Sequence, residues 1–322
     1  MRNIWGRSGK FTLFCVVTLL LNLTVFSQVS LRKAVDFDND GRADFSVFRP
    51  AGNIWLISKT GGGQIVTPFG IASQDYMTPG DYDGDGRADI AVWRDTNGFF
   101  YWINSSNGTF TGGQLGQSGD EPVARDYDND GRTDLAVVRR SNGQMIWHTM
   151  LSTTGVLSQV TWGVSTDRTA PGDYDGDGRF DYAVQRPGPT PTSQATFFIL
   201  HSVSNIIRVV QWGLTNDLVV PGDYDGDNKT DIAVMREGAT PTSNLTWYIL
   251  NSINNSATTT VFGITGSDLN VQADYDGDGK TDIATWRESD ANFRWIRSSD
   301  GVQNVAQWGQ ANDYPIASYD TH

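Results

Sequence analysis

From about residue 30 onward, hydrophobic and polar residues alternate in short segments that are separated by turns rich in Gly, Asp and Asn. One unit contains a short segment such as VPGDYD, an acidic turn, an apolar segment such as IAVMR, an aromatic segment such as LTWYIL, and a segment such as VVQWG. Alternation with a period of two, bounded by turn residues, predicts β-strands. The unit therefore predicts four strands, and no segment calls for a helix.

This unit repeats along the chain. The pattern Asp-aromatic-Asp-x-Asp-Gly/Asn-Arg/Lys-x-Asp begins at Asp36, Asp81, Asp126, Asp173, Asp223 and Asp274, at intervals of 45, 45, 47, 50 and 51 residues. Four short strands at such a period are typical of propeller blades, in which each small sheet packs against its neighbours around an axis. We expect an all-β fold, a β-propeller of four-stranded blades.

The number of blades depends on how the ring closes. An aspartate lies six residues before five of the acidic turns, and one more follows the last repeat; the six are Asp75, Asp120, Asp167, Asp217, Asp268 and Asp313. Ser30 stands at this position in the first repeat. The first strand thus has seven candidates and the other strands six. Six blades are expected, with the C-terminal segment competing with or flanking the N-terminal strand, and seven blades are the alternative.

Two columns of aromatic residues and one of arginines recur with the repeat. The third strands carry Trp55, Trp102, Trp147, Phe197, Trp247 and Trp295, and the fourth carry Phe69, Leu115, Trp162, Trp212, Phe262 and Trp308. Residues at one equivalent position in every repeat are expected to form the core between blades. The arginines are Arg49, Arg94, Arg139, Arg186, Arg236 and Arg287. We expect these arginines to form ion pairs, or hydrogen bonds to carbonyls, between blades, with the lead-in aspartates as candidate partners. The alternative is a ring of cations that binds an anionic ligand.

The first 27 residues are expected to form a signal peptide. Arg2, Arg7 and Lys10 precede an apolar run from Phe11 to Phe26, and cleavage is expected after Ser27. The run is too short for an ordinary membrane-spanning helix, the alternative interpretation. We therefore expect an extracytoplasmic protein, secreted, periplasmic or at the cell surface, with one propeller domain over residues 28–322. Its only cysteine, Cys15, lies within the signal, so no disulfide stabilises the mature chain.

Composition and charge exclude several classes of protein. The chain of 322 residues has 35 Gly and 37 aromatic residues but only three Glu and five Lys, which argues against a helical bundle. Its formal charge of −13 argues against nucleic acid or an anionic membrane as a partner. The many carboxylates therefore need another explanation.

Each acidic turn is a candidate calcium site. Carboxylates at positions 1, 3, 5 and 9 of the turn converge in a tight loop, and Ca²⁺ prefers six to eight oxygen ligands. Position 6 requires a sharp turn. It is Asn228 in the fifth loop and Gly in the other five loops. Position 7 is expected to contribute its backbone carbonyl. The predicted ligands are Asp36, Asp38, Asp40, Arg42 and Asp44; Asp81, Asp83, Asp85, Arg87 and Asp89; Asp126, Asp128, Asp130, Arg132 and Asp134; Asp173, Asp175, Asp177, Arg179 and Asp181; Asp223, Asp225, Asp227, Lys229 and Asp231; and Asp274, Asp276, Asp278, Lys280 and Asp282.

The acidic turns fit a calcium site better than an EF-hand, a magnesium site or a turn that binds no metal. An EF-hand needs a Glu at position 12 between helices, whereas position 12 is Val in five repeats and Thr285 in the sixth. Mg²⁺ keeps several waters and does not need four carboxylates. Asp and Gly favour turns anyway, but four carboxylates within nine residues repel one another unless a cation neutralises them. We expect about six Ca²⁺ ions, one for each loop.

The segments PGDYDGDGRADIAVWR and FG or WG resemble the FG-GAP repeats of integrin α-subunit propellers and the related VCBS-type repeats of bacterial exported proteins. The resemblance covers residues 30 to 320. It implies a β-propeller with Ca²⁺ bound in each acidic loop, often in proteins that adhere or bind at cell surfaces. Two departures from the family pattern are expected: no additional domain, and a last repeat that stops at Tyr319-Asp320 before any loop.

No catalytic motif is evident. His148, His201 and His322 share no column and show no nearby metal-ligand spacing, and neither HExxH nor GxSxG occurs. We expect a monomeric, non-catalytic binding or adhesion module whose partner is a protein or glycan at a cell surface or matrix, with no nucleic acid and no membrane span after cleavage. The alternatives are a lectin that holds glycans between blades and a polysaccharide-active or quinone-dependent enzyme.

Overall fold

The computed structural model describes residues 34–316, and the expected signal peptide and Ser30 lie outside them. This part contains 24 β-strands and no α-helix. The strands are β1 Phe45–Arg49, β2 Ile54–Ser58, β3 Gln64–Pro68, β4 Asp75–Met77, β5 Ile90–Arg94, β6 Phe99–Ile103, β7 Phe110–Gln114, β8 Glu121–Pro122, β9 Leu135–Ser141, β10 Gln144–Met150, β11 Leu157–Val164, β12 Arg168–Thr169, β13 Tyr182–Arg186, β14 Gln194–Leu200, β15 Ile207–Leu214, β16 Leu218–Val219, β17 Ile232–Arg236, β18 Asn244–Leu250, β19 Ala257–Ile264, β20 Asp268–Asn270, β21 Ile283–Arg287, β22 Asn292–Ile296, β23 Gln303–Gln307 and β24 Tyr314–Pro315.

The strands form six four-stranded antiparallel sheets arranged as a six-bladed β-propeller. Blades two to six each use four consecutive strands, from β4–β7 to β20–β23. Blade one has the order β24-β1-β2-β3, so the C-terminal strand supplies its first strand. There Val47 lies opposite Pro315 and Phe48 lies opposite Tyr314. The expected six blades are confirmed and the seven-bladed alternative is wrong.

The first strand of each blade lies earlier than the sequence pattern placed it. In blade five the strand is β16, and within the following VPGDYD segment only Gly222 forms a bridge, with Asp231. Blades three and six form the same isolated bridge although Ala124 and Gln272 stand at the position of Pro221, so the proline is not the cause of the interruption. Among the described residues no helix has the length and hydrophobicity to cross a membrane.

The aromatic columns contribute to the core as expected, with two exceptions. Trp102 and Trp295 are half-buried and lie two residues beyond the position of Trp55, which Phe100 and Phe293 occupy in their blades. In the third strands, Trp55 and Trp247 are fully buried. In the fourth strands the tryptophans are half-buried and donate their indole N–H to the next blade. Trp162 Nε1 donates to the carbonyl of Phe198 at 3.1 Å, and Trp308 Nε1 donates to that of Leu56 at 2.9 Å. The second of these bonds joins blade six to blade one, so the same device works within the ring and at its closure.

Each arginine at the end of a second strand forms an ion pair with a lead-in aspartate. The pairs are Arg49–Asp313, Arg94–Asp75, Arg139–Asp120, Arg186–Asp167, Arg236–Asp217 and Arg287–Asp268, at 2.5–2.9 Å. The expected pairing is confirmed, but it lies within a blade instead of between blades. The reason is register, since Asp75 lies directly opposite Arg94 on the neighbouring strand. A carboxylate therefore neutralises each guanidinium.

Candidate metal centres in the acidic loops

The first aspartate of each acidic loop shapes the loop backbone. Asp81 accepts the N–H of Gly84 on Oδ1 at 2.6 Å and the N–H of Gly86 on Oδ2 at 2.8 Å. These bonds hold positions 4 and 6 in the left-handed region. At position 6, Gly86 has a φ of 88° and Asn228 has a φ of 66°. The expected demand for positive φ at this position is confirmed, and Asn228 meets it because Asn tolerates that conformation better than most residues.

The ninth aspartate connects the loop to two other segments. Asp89 is fully buried; its Oδ2 accepts the N–H of Tyr82 at 2.8 Å and its Oδ1 accepts the N–H of Ser105 at 2.6 Å. Burial raises the pKa of Asp89 to about 6 despite these hydrogen bonds. Burial likewise raises the pKa of Asp134 and of Asp231 to about 7. Negative charge is therefore costly at this position until a cation compensates it.

The hairpin between the third and fourth strands covers the loop, a contact that the sequence did not reveal. Ser105 donates its hydroxyl to Oδ1 of Asp85 at 2.8 Å, and Ser106 donates to Oδ2 of Asp83 at 2.6 Å. A Ser or Thr stands two residues after the third strand in every blade: Thr60, Ser105, Ser152, Ser202, Ser252 and Ser298. This column was visible in the repeat, but Ser and Thr are also common in turns that bind nothing.

The carboxylates at positions 1, 3 and 5 converge as expected. Ligand atoms of Asp36, Asp38 and Asp40 lie within 4.8 Å of one another, and so do those of Asp81, Asp83 and Asp85. In the third loop the group comprises Asp126, Asp128 and the ninth-position Asp134.

Some of these carboxylate oxygens have no partner. The buried Oδ1 atoms of Asp38, Asp128 and Asp175 have no hydrogen-bond partner within residues 34–316. Buried carboxylate oxygens without a donor are costly. In the first and third loops the donor groups are all carboxylates, and an all-oxygen donor set of this kind fits Ca²⁺. The position-7 carbonyls stay predicted ligands; the N–H of Arg87 donates to Asp85 at 2.9 Å.

The fourth loop also contains an imidazole. His201 is buried, and its Nδ1 lies 3.1 Å from Oδ2 of Asp181 and 3.2 Å from Oδ2 of Asp175. Spacing along the chain did not indicate that His201 belongs to such a group. The relation was hidden because the hairpin brings together residues that lie 20 apart in the chain.

The six loops are joined by a closed circle of backbone hydrogen bonds. In each bond the N–H at position 8 of one loop donates to the carbonyl at position 1 of the preceding loop. The bonds are Ala88 to Asp36, Thr133 to Asp81, Phe180 to Asp126, Thr230 to Asp173, Thr281 to Asp223 and Ala43 to Asp274, at 2.6–2.9 Å. Each first-position aspartate thus shapes its own loop with its side chain and holds the next blade with its carbonyl.

Comparison with known proteins agrees with this architecture. The FG-GAP-like repeat family matches residues 36–92 and 126–184, so the chain contains FG-GAP-type repeats. No curated protein sequence matches the chain.

Among solved structures, a triple arginine-to-alanine mutant of AofleA from Arthrobotrys oligospora is similar, with 11% identity, a TM-score of 0.52, and coverage of 88% of this chain and 90% of that one. Virginiamycin B lyase from Staphylococcus aureus has 7% identity and a TM-score of 0.47, with coverage of 86% and 88%. At such identities the first likeness shows the fold alone, and the second carries no argument.

Proposed function

Because the chain is an FG-GAP-type repeat protein folded as a six-bladed propeller, we propose that it is an exported calcium-binding scaffold that acts as a non-catalytic binding or adhesion module. The observation that carries the proposal is the buried, unpartnered carboxylate oxygen at position 3 of three loops, beside other converging carboxylates. In the third loop the Thr153 hydroxyl donates to Oδ2 of Asp128, which leaves Oδ1 of this residue for a cation. In such a loop Ca²⁺ supplies the positive charge that four crowded carboxylates require.

Calcium removal tests the proposal. If the loops bind only in the folded state, each site contributes about 1.4 kcal/mol at a tenfold excess of free calcium over Kd, and six sites contribute several kcal/mol together. We expect EGTA to lower the melting temperature sharply, and added Ca²⁺, but not Mg²⁺, to restore it. A calorimetric titration is expected to count six ions. A melting curve that EGTA leaves unchanged would contradict the proposal.

Several ionisable groups outside the loops form contacts within the fold, which favours a scaffold over an enzyme. All six lead-in aspartates are paired with arginines, and Glu121 bonds to Arg140 and Thr169. His148 is buried, which lowers the pKa of its imidazole, and Gln159 lies at its Nδ1. General acid–base chemistry needs a group in reach of a substrate. These groups are instead committed to holding the fold.

Export is supported by sequence alone. The basic residues followed by the apolar run from Phe11 to Phe26 are typical of a signal peptide, and free calcium is abundant outside cells. Expression in a secreting bacterial host, followed by N-terminal sequencing of the exported protein, is expected to begin at Gln28. A protein that retains Met1 in the cytoplasm would contradict this part of the proposal.

A further inference from the structure

A cavity of about 450 Å³ lies between the first strands of blades one and two. It is lined by Tyr314 and Phe48 of blade one and by Gln74, Tyr76 and Asp95 of blade two, among others. The acidic loop of blade two precedes β5, whereas Asp95 follows it, so the five residues of β5 separate the cavity from the loop by about 17 Å. The cavity is therefore distinct from the candidate calcium sites, and its volume is in the range of small-ligand sites.

The residue that follows the lead-in aspartate breaks the repeat symmetry at this cavity. From blade one to blade six it is Tyr314, Tyr76, Glu121, Arg168, Leu218 and Leu269. Only the lead-in aspartate before it recurs in every blade, and the residue after it varies as well. In blade three Glu121 accepts the hydroxyl of Thr169, and in blade four Arg168 donates to Oε1 of Gln185. Two tyrosines on neighbouring blades are thus a local feature.

Both tyrosines present part of their rings to solvent from supported positions. Tyr314 is 53% exposed and Tyr76 is 37% exposed. Tyr76 lies opposite Trp93 in the sheet, with ring centroids 5.8 Å apart, and Tyr314 lies opposite the buried Phe48. A ring that its neighbours hold in place offers a large contact surface at little cost in conformational entropy.

The polar groups of the cavity are held in place and carry no positive charge. Thr96 donates its hydroxyl to Oε1 of Gln74 at 3.1 Å, which leaves the amide N–H groups of Gln74 to donate to a ligand. Asp95 accepts from the Ser118 hydroxyl at 3.0 Å and from the Gly119 N–H at 2.7 Å. A carboxylate has about four acceptor positions, so Asp95 can accept further hydroxyls.

The charges around the cavity argue against one class of ligand. No Lys or Arg is among the described residues that line the cavity, and the whole chain has a formal charge of −13. An anionic ligand is therefore disfavoured. Asp75, which also lines the cavity, is neutralised by Arg94 through two hydrogen bonds of 2.7 and 2.9 Å. Aromatic faces beside amide and carboxylate groups suit a ligand with both C–H faces and hydroxyls.

We propose that this cavity binds one or two rings of a neutral saccharide, with the C–H face of a sugar against Tyr76 and Tyr314 and its hydroxyls bonded to Gln74 and Asp95. The proposal rests on the binding-module function above and assigns its ligand class. It makes the ring seam, where the first and last repeats meet, the recognition surface of the scaffold. The calcium loops lie at the other end of the strands and do not touch the ligand.

The test uses the calcium-loaded protein with glucose, galactose, mannose, N-acetylglucosamine and their β-1,4-linked dimers, followed by saturation-transfer NMR and calorimetry. We expect saturable binding to at least one of these sugars, and Tyr76→Ala is expected to weaken it about tenfold or more. Asp95→Asn, which preserves the shape of the side chain, is also expected to weaken it. Leu269→Ala is the matched control, because Leu269 occupies the same position in blade six and is 42% exposed; it is expected to leave binding unchanged.

Four outcomes would overturn the proposal: no saturable binding below about 10 mM; equal binding by wild type and by both cavity variants; a preference for galacturonate; and binding of tetramethylammonium in place of sugars, since tyrosine rings also recognise organic cations. Counting calcium in the same samples separates the two proposals. Six bound ions without sugar binding would leave the calcium scaffold in place and remove the cavity proposal. Sugar binding by protein that binds no calcium would leave the cavity proposal in place and remove the calcium scaffold.

Discussion

At the scale of single residues, the ninth aspartate of each loop carries the strongest electrostatic constraint. Asp134 accepts the N–H groups of Tyr127 at 2.8 Å and Ser152 at 2.6 Å. Burial is the largest cause of its raised pKa, and the charge of Asp128 raises it further. With a pKa of about 7, such a carboxyl is about half protonated at neutral pH when no cation is bound. Calcium must therefore displace protons, which links metal binding to pH.

The stability of the metal-free protein is expected to fall as pH rises. The folded pKa of Asp44 is about 6 and that of Asp231 about 7, whereas an unfolded Asp has a pKa of about 3.9. Between these values the folded state binds protons that the unfolded chain releases, so stability decreases with pH until about 7. Thermal melts of dialysed, metal-free protein are expected to give a higher Tm at pH 5.5 than at pH 7.5, and calcium affinity is expected to show the opposite order. A Tm independent of pH would contradict the buried, protonated carboxyls.

A double substitution tests the ligand role of one loop. Asp126→Asn with Asp130→Asn removes two charges and one of the two oxygens with which Asp126 accepts the N–H groups of Asn129 and Gly131, so the variant is expected to bind one calcium ion fewer than wild type. The carbonyl of Asp126 holds Phe180 of the next loop at 2.9 Å, and this bond survives the substitution. The other five sites are expected to change little. Calorimetric titration that counts the same number of ions as wild type would contradict the four-carboxylate interpretation of this loop.

At the scale of elements, the hairpin after the third strand holds the carboxylates in position from outside the loop. In blade five, Ser252 donates its N–H to Asp231 at 2.6 Å and its hydroxyl to Asp227 at 2.8 Å. In blade four, the N–H of Ser202 donates in the same way to Asp181, at 2.8 Å. The buried hydroxyl of Ser202, however, has no hydrogen-bond partner among the described residues. The two blades thus provide a comparison that isolates one hydrogen bond.

Ser252→Ala is expected to weaken calcium binding at the fifth loop by up to about tenfold, because it removes a hydrogen bond to a charged group. Ser202→Ala is its matched control and is expected to have no measurable effect on calcium affinity. Calorimetric titration of both variants checks this. Equal losses in the two variants would mean that the hydroxyl does not position the position-5 carboxylate.

The elements also show what the sequence could and could not predict. The repeat pattern predicted four strands per blade, the acidic loops and the positive φ at Asn228, because each depends on residues close together in the chain. It did not reveal the hydroxyl of Ser105 on Asp85 or His201 beside Asp181, because these contacts join segments about 20 residues apart. The cavity between Tyr76 and Tyr314 depends on ring closure, which brings together residues from opposite ends of the chain.

At the scale of the whole molecule, blade one differs from the others because its first strand comes from the other end of the chain. In blade five, β16 is covalently continuous with the chain on both sides and follows blade four directly. In blade one, two residue pairs and the Arg49–Asp313 ion pair hold β24 to β1. The indole N–H of Trp308 also donates to the carbonyl of Leu56. A small set of non-covalent contacts therefore holds the ring closed.

Equivalent substitutions in blades one and five test this difference. Arg49→Gln and Arg236→Gln each leave a buried aspartate without its guanidinium, Asp313 and Asp217 respectively, at a cost on the order of 3 kcal/mol. Only the first also frees a strand that no later blade holds, so β24 is expected to separate from β1 by local unfolding. We expect Arg49→Gln to lower the Tm more than Arg236→Gln and to speed hydrogen exchange at the amides of Phe48 and Ile316, which lie in this closure. Equal Tm losses, with exchange at these two amides as slow as in wild type, would show instead that the packing of the blades alone holds the ring closed.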